Sequence, residues 1–213
     1  MDGDAGRKRW VLFAANAEYA VGTFDGRTFT PDHPGKFRVH HGAFYAAQCF
    51  NRAPGGRAIQ VGWAQMDFPG MPFNQAFSLP IELRLKTTPA GVRMFAEPVC
   101  ELETLRGEPV TKAAVRVAPD APAEVKAPAD LLDIVAEIEP GDASEVRLQF
   151  GATTLTYKTA DRTLDGMPLP LSGKAFAVRV VVDRPMYEVV GGHGAVYKTA
   201  RRADGGRPIG AVR

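Results

Sequence analysis

The chain has 213 residues, 45% of them hydrophobic and 23% charged, and this ordinary globular composition argues against disorder, collagen-like repeats and low-complexity tails. Basic residues number 26 and acidic residues 24, and since both halves are close to neutral, neither has the field of a protein that binds nucleic acid or an anionic membrane. No apolar run approaches the ~18 residues of a membrane span, and the acidic start Met1–Asp4 lacks the apolar segment of a signal peptide, so the compartment stays unknown.

Apolar and polar residues alternate along most of the first half, which predicts strands with one buried and one solvated face. The predicted strands are about Trp10–Ala15, Tyr19–Phe24, Ala43–Phe50, Ala58–Met66, Phe77–Lys86 and Val92–Val99. The last four predict an antiparallel four-stranded meander, the unit of a β-propeller blade, and the first two predict a hairpin, half of a neighbouring blade. The only helix candidate lies around Pro98–Leu105, just before Gly107.

The second half has short predicted strands at the spacing of a β-sandwich. They are about Ala113–Val117, Leu131–Ile138, Glu145–Phe150, Thr153–Lys158, Phe176–Asp183, Met186–Val190 and Ala195–Thr199. Residues 203–208 are interpreted as a turn and tail without closing strands. The prediction is therefore an all-β chain whose domains cover residues 1–106 and 107–213, with the boundary near 106–108, where a proline- and alanine-rich stretch begins.

Few residues have a pattern typical of catalysis. None of the three serines lies in a G-x-S-x-G motif, and the four histidines lack metal-ligand spacing. His40-His41 precede a predicted strand, which favours a solvated or hydrogen-bonded loop role, and Gly191–Gly194 favours a hairpin turn over a phosphate-binding loop. Cys49 and Cys100 are expected to be buried free thiols, with pairing as the open alternative. No carboxylate lies in an apolar setting that would raise its pKa, and no metal site is predicted.

One part of the first half combines aromatic and amide side chains near strand ends and on the loop between two strands. The segments are Gly42–Gln48, Gln60–Trp63 and Pro69–Gln75. Aromatic faces stack on the C–H side of sugar rings, and planar amides bind pairs of hydroxyl groups, so this combination is typical of a carbohydrate site. The alternative is that Phe44, Tyr45 and Trp63 belong to the core and the proline-glycine loop is a rigid connector.

Several segments, taken in order along the chain, resemble one known family. They are Trp10–Phe13, Tyr19–Gly26, Phe44–Gln48, Gln60–Trp63, Met71–Gln75, Leu79–Leu83, Phe95–Val99, Val178–Arg184 and Tyr187–Val189. In this order and spacing they resemble glycoside hydrolase family 32, the β-fructosidases that include levanases, inulinases and invertases. The stretch ending at Asn74-Gln75 is most similar to the bacterial levanase type.

The resemblance implies a partial five-bladed β-propeller, of about one and a half blades, followed by a C-terminal β-sandwich that is expected to be incomplete. It also implies a retaining mechanism in which one carboxylate attacks the anomeric carbon, a second protonates the leaving oxygen, and a third binds ring hydroxyls. The family motifs for these groups (Trp-Met-Asn-Asp-Pro-Asn, Arg-Asp-Pro and Glu-Cys) do not occur in the sequence, so no catalytic residue is assigned. We therefore expect a C-terminal fragment, inactive alone, whose Met1 is an internal methionine or a misplaced start.

The resemblance assigns four substrate-binding residues. Tyr45 and Trp63 match aromatic residues of the last blade in or beside the sugar pocket, and Asn74 and Gln75 match a loop at its rim. A purely structural role for Trp63 stays open. Asp67, the carboxylate nearest to this segment in the sequence, is expected to be a solvated loop residue.

The resemblance also assigns partners. A fructan or sucrose-type carbohydrate is expected to bind, with no metal or organic cofactor and no nucleic-acid or membrane partner. Asp183 and Glu188 match sandwich positions where packing and hairpin support are expected. One alternative is a non-catalytic carbohydrate-binding module. The other is a subunit that completes the propeller of a partner, with the missing blades on an upstream polypeptide.

Overall fold

A computed structural model describes residues 1, 2, 4 and 6–213. The described part consists of β-strands joined by turns and two short 3-10 helices, Pro54–Gly56 and Cys100–Leu105, with no α-helix among the described residues. The prediction of an all-β chain is confirmed. The helix predicted around Pro98–Leu105 is a 3-10 helix that begins at Cys100, because Pro98 still belongs to a strand.

The first sheet is larger than the predicted hairpin. Its strands are β1 (Trp10–Phe13), β2 (Glu18–Phe24), β3 (Phe29–Pro31) and β4 (Phe37–Arg38). β1 lies along one edge of β2, and the short β3 and β4 share the other edge. Because side chains alternate between faces, Tyr19 and Val21 enter the core while Trp10, Leu12 and Phe24 lie on the opposite, exposed face.

The second sheet confirms the predicted meander. It contains β6 (Tyr45–Cys49), β7 (Ala58–Ala64), β9 (Ile81–Thr88) and β10 (Gly91–Pro98), antiparallel and in chain order across the sheet. The predicted strand Phe77–Lys86 is divided, since β8 (Ala76–Phe77) pairs with the end of β7 and only then does the chain turn into β9. Ser78 and Pro80 lie at this break, where Pro80 has no N–H to donate and Ser78 accepts the Gly62 N–H at 3.0 Å through its hydroxyl.

Two further sheets face one another in the second half. One contains β11 (Val125–Ala129), β20 (Ile209–Val212), β13 (Glu145–Phe150), β14 (Thr153–Lys158), β15 (Thr163–Leu164) and β16 (Met167–Pro168). The other contains β12 (Leu131–Ile138), β17 (Phe176–Asp183), β18 (Met186–Gly191), β19 (Val196–Arg201) and β5 (His40–Gly42). Their inner faces share one apolar core, in which Leu155 and Tyr157 of the first sheet meet Val180 and Val189 of the second.

Two predictions for the second half are wrong. No strand forms at Ala113–Val117, where the side chains of Val115 and Val117 are exposed, and β11 appears further along the chain instead. The expectation that no closing strand accompanies the turn at 203–208 is also wrong, because β20 follows it, pairs with both β11 and β13, and buries Ile209. The turn before β20 is ordered by the buried Arg202, whose guanidinium donates to the backbone carbonyls of Arg184 and Arg207.

The two halves of the chain share a second core. β5 from the first half pairs in parallel with β19, so that His40 lies beside Tyr197. Val190 and Tyr197 from the second half pack with Tyr19, Phe44 and other apolar residues of the first. The first two sheets are thereby joined to the face of the β12–β17–β18–β19–β5 sheet that does not face the sandwich core. The domain boundary near residues 106–108 stays a prediction.

Candidate functional site

Three aromatic side chains lie side by side on the outer face of the second sheet. Tyr45 of β6 is directly opposite Trp63 of β7, which is directly opposite Phe77 of β8. The rings of Tyr45 and Trp63 meet edge to face with centroids 6.3 Å apart. The three residues are 40%, 38% and 73% exposed, respectively, so this aromatic row offers ring faces to solvent. An exposed aromatic row of this kind is an unusual use of apolar surface and favours ligand binding.

The outward orientation of the row follows from the residues beside it. Phe44 precedes Tyr45 and points to the opposite face, where it is 6% exposed. Gly62 precedes Trp63 and lies under the Phe44 ring so closely that a Cβ there would be 2.3 Å from it. Phe44, packed against Gly62, therefore fills the inner face, and Tyr45 and Trp63 project from the outer one.

The loop between β7 and β8 contains the two predicted amides. Asn74 is used within the loop, since its Oδ1 accepts the Phe68 N–H at 3.3 Å and its Nδ2 donates to Asp67 at 3.0 Å. Gln75 has a positive φ of 63° and comes directly before β8. Asp67 is an exposed loop residue, as predicted. The structure thus brings Tyr45 and Trp63 together, places Asn74 in the framework of the loop, and puts Gln75 next to the strand that carries Phe77.

Phe77 was not among the predicted site residues. The prediction placed it at the start of a continuous strand, in which its neighbours across the sheet were unknown. Its position after an amide-rich loop, followed by Ser78 and Pro80, is the signal that could have identified a short separate strand.

His40 is not the loop residue that the sequence predicted. It lies in β5 and is fully buried, stacked on the Phe44 ring at a centroid distance of 4.0 Å. Neither of its ring nitrogens has a hydrogen-bond partner within the described part of the chain. Burial lowers the pKa of His40 to about 3, with a smaller contribution from the neighbouring His41, so the ring is neutral at physiological pH.

Glu188 corrects the prediction that no carboxylate lies in an apolar setting. Its side chain is fully buried on β18, where Oε1 accepts the Leu79 N–H at 2.9 Å and Oε2 is hydrogen-bonded to the Tyr197 hydroxyl. The pKa of Glu188 is raised to about 8, mainly by burial and slightly by nearby Asp183, although the two hydrogen bonds act to lower it. Its apolar surroundings come from both halves of the chain and were invisible in the local sequence.

The remaining candidate groups do not form a second site. Cys49 and Cys100 are free, as expected, but both are exposed, so the prediction that they are buried is wrong. Gly191–Gly194 connects β18 to β19 as the predicted hairpin turn. In the described ranges no three His, Cys, Asp or Glu side chains are close enough together to hold a metal ion. A helix of sufficient length and apolarity to cross a membrane is also absent from those ranges.

Comparison with known proteins relates both the sequence and the fold to one group of enzymes. No protein-family model matches the chain. The levanase of Bacillus subtilis (strain 168) is 28% identical over 243 residues, an alignment that covers 91% of this chain and 36% of that protein. The exo-inulinase of Aspergillus awamori has a similar structure, with a TM-score of 0.74 at 19% identity over 98% of this chain and 51% of that one.

A second solved structure extends the likeness to a sugar complex. The β-fructofuranosidase of Schwanniomyces occidentalis, complexed with fructosyl-erythritol, has a TM-score of 0.73 at 17% identity and covers 99% of this chain and 53% of that one. The chain is therefore similar in sequence to levanases and in fold to an exo-inulinase and a β-fructofuranosidase. It spans about a third of the length of the Bacillus subtilis levanase and about half of the two solved chains.

The similarity to these enzymes covers the part of the chain that carries the aromatic row. Of the similar structures, the Schwanniomyces occidentalis β-fructofuranosidase is complexed with fructosyl-erythritol. The match runs over nearly the whole chain and includes the second sheet with the row. Because its three adjacent rings are exposed, the row is the strongest candidate for a functional surface among the described residues.

Proposed function

We propose that the chain is the C-terminal portion of a retaining β-fructofuranosidase or levanase that hydrolyses fructans or sucrose. In this proposal, residues 1–106 contribute the last blades of a five-bladed β-propeller and residues 107–213 form the C-terminal β-sandwich. The four-stranded meander of the second sheet, the two facing sheets of the second half and the partial coverage of the relatives support it.

The exposed aromatic row is the single observation that carries the binding part of the proposal. Tyr45 and Trp63 supply ring faces for the C–H surface of fructosyl units, and Phe77 extends that surface by one strand. Gln75 has an amide that the described contacts leave available for hydroxyl groups, while Asn74 supports the loop that carries it.

Replacing Trp63 by alanine is expected to weaken binding of levan or inulin by the purified chain by roughly 10-fold or more, because it removes the central ring of the row. Affinity gel electrophoresis or calorimetry with each polysaccharide measures this loss. Trp10→Ala is the matched control, since Trp10 is the other tryptophan and is 58% exposed on a different sheet. Equal loss in both variants, or no binding by the unmodified chain at millimolar sugar, contradicts the role of the row.

The catalytic part of the proposal requires groups outside this sequence. The three family motifs that carry the nucleophile, the acid and the transition-state-stabilising carboxylate do not occur in it. A double displacement needs a nucleophile and an acid about 5–5.5 Å apart on opposite sides of the glycosidic bond.

The purified chain is therefore expected to release no fructose from levan, inulin or sucrose above the buffer control. A reducing-sugar assay over many hours, with a complete levanase as positive control, makes the measurement. Fructose release that survives repeated purification and is lost on Trp63→Ala would contradict this expectation and require a different set of catalytic residues.

A second candidate function is completion of a partner polypeptide that carries the remaining blades. The outer face of the first sheet favours it, because Trp10, Leu12 and Phe24 lie together there and are 58%, 60% and 39% exposed. This candidate predicts poor solubility alone and rescue on co-expression with the N-terminal half of a levanase. The third candidate, a non-catalytic carbohydrate-binding module, instead predicts a soluble chain that binds levan without any partner.

A further inference from the structure

Glu188 connects the second half of the chain to the segment that carries the aromatic row. The Leu79 N–H that it binds is 109 residues away in sequence and two residues after Phe77. Ser78, between them, is also held, since its backbone N–H donates to the Gly62 carbonyl at 2.8 Å and its hydroxyl accepts the Gly62 N–H. The short segment Phe77–Pro80 is therefore attached on one side to β7, next to Trp63, and on the other side to Glu188.

Glu188 is one of the residues that line a cleft between this segment and the sandwich. The cleft has a volume of about 190 Å³ and is lined by Phe77–Pro80 on one side and by Val181, Asp183 and Met186 on the other. A water molecule occupies about 30 Å³, so the cleft can admit several. A proton that leaves Glu188 can thus pass to solvent, and water can reach the carboxylate that remains.

The charged and titratable groups around Glu188 come from three strands. Tyr197 of β19 is hydrogen-bonded to it, and His40 of β5 lies beyond Tyr197 at a ring distance of 5.5 Å. Val181 of β17 lies opposite Glu188, and Arg179 and Asp183 lie two residues before and after it. Arg179 forms an ion pair with Asp133 at 2.8 Å. The facing segment Phe77–Pro80 contributes a backbone N–H and no titratable side chain. With His40 neutral and Arg179 paired elsewhere, no cation is directed at Glu188 from these strands.

We propose that Glu188 is a positioning residue for the aromatic row, whose neutral carboxyl group holds Phe77 beside Trp63 and whose ionisation loosens that attachment. The proposal rests on the proposed carbohydrate-binding function of the row. The neutral group accepts the Leu79 N–H where the segment Phe77–Pro80 meets the sandwich. The carboxylate needs more hydration than one N–H and one hydroxyl supply, and water can reach it only by entering the cleft between Phe77–Pro80 and the sandwich.

The ionisation of Glu188 can be followed by experiment because its pKa lies within the pH range in which proteins are usually studied. Burial raises the pKa of Glu188 to about 8, and the pKa of Tyr197 lies well above its usual value because of burial and the adjacent Glu188. Glu188 therefore ionises before Tyr197 as the pH rises. Tight attachment of the row is expected below pH 7 and looser attachment above pH 9.

Trp63 fluorescence tests the positioning step without any sugar. The chain has two tryptophans, so the Trp10→Phe background makes Trp63 the only reporter. In this background the emission of Trp63 is expected to shift to longer wavelength between pH 7 and 9. Glu188→Gln, which keeps the acceptor but cannot ionise, is expected to abolish the shift, whereas Glu188→Ala is expected to show the shifted emission at every pH. Glu137→Gln, an exposed carboxylate on β12, is the matched control and retains the shift.

Levan affinity, measured in the same four chains, separates this proposal from the proposed function. From pH 7 to pH 9 we expect levan binding to weaken roughly 3- to 10-fold in the Trp10→Phe background and in its Glu137→Gln variant. The Glu188→Gln variant is expected to show no such weakening. A Glu188-dependent emission shift without levan binding at any pH supports the positioning role and overturns the proposed function. An emission shift that persists in Glu188→Gln, or no shift in any chain, overturns the positioning role whatever the levan result. Far-UV circular dichroism identifies unfolding, and if Glu188→Ala unfolds, the comparison of the folded Glu188→Gln and Glu137→Gln chains decides.

Discussion

Between about pH 4.5 and pH 8 the unmodified chain is expected to lose stability, and Glu188→Gln is expected to remove most of that loss. The pKa of Glu188 is raised from 4.5 to about 8 in the folded chain because its carboxyl group is buried. In this window the folded state keeps a proton that the unfolded state releases, so the free energy of unfolding falls as the pH rises. The contribution is roughly 2–5 kcal/mol, fully present below pH 4.5 and lost above pH 8.

Urea unfolding at half-unit steps from pH 4.5 to 8.5 measures the effect. The difference between Glu188→Gln and the unmodified chain should grow steadily across the series and then level off. Glu137→Gln should follow the unmodified chain throughout, because Glu137 is exposed. Parallel curves for Glu188→Gln and the unmodified chain would mean that Glu188 is ionised in the folded state at neutral pH.

His40 is expected to make the free energy of unfolding fall as the pH decreases on the acid side, the opposite pH dependence to that of Glu188. Burial lowers its pKa from 6.5 to about 3, so the unfolded state takes up a proton that the folded state excludes. Its contribution to stability is therefore present above pH 6.5 and is lost as the pH falls toward 3. In the same urea series, extended to pH 3.5, His40→Phe should lose less stability with acid than the unmodified chain, because phenylalanine fits among Phe13, Phe44 and Tyr197 and cannot titrate.

Phe44→Ala is expected to lower the free energy of unfolding by about 3–5 kcal/mol, whereas Tyr45→Ala should cost less than about 1 kcal/mol. The two residues are adjacent but occupy opposite faces of the chain. Phe44 is 6% exposed and fills the space between His40 and Gly62, so its removal leaves a cavity. Tyr45 is 40% exposed on the aromatic row, so its removal leaves little cavity.

Chemical unfolding at one pH, followed by circular dichroism, compares the two variants directly. Levan binding gives the converse test, because Tyr45→Ala should weaken it while leaving the fold intact. Equal losses of stability in both variants would show that Tyr45 is part of the core, which is the alternative that the sequence leaves open for the aromatic cluster.

The alternation of apolar and polar residues is sufficient to predict the long strands of the second half. β12, β13, β14 and β17 have the predicted bounds, since each alternates apolar and polar residues between clear turns. β11 and β20 were missed although they have five and four residues, and they pair with each other from opposite ends of the second half. The other missed strands, β3, β4, β5, β15 and β16, have two or three residues each and depend on hydrogen bonds to a neighbouring strand. Such segments have no periodicity of their own to detect.

The candidate site also contains residues that the sequence could predict and residues that only the tertiary structure identifies. Tyr45 and Trp63 could be selected from the sequence because their residue types, in a family-like order, indicate sugar binding. Phe77 joins them only through the register of β8 on β7, which depends on the break at Ser78–Pro80. The buried states of His40 and Glu188 depend on contacts between the two halves, and no local pattern contains them.

The sequence by itself determined that this chain of 213 residues is all-β, close to neutral and similar in motif order to a fructosidase family, because composition, alternation and motif order are local properties. The tertiary structure decided which aromatic residues share a surface, that β20 lies between β11 and β13, and that the side chain of Glu188 is buried and bonded to the segment after Phe77. Each of these depends on residues distant in sequence, and only their packing sets the exposure and the pKa values on which a function can be built.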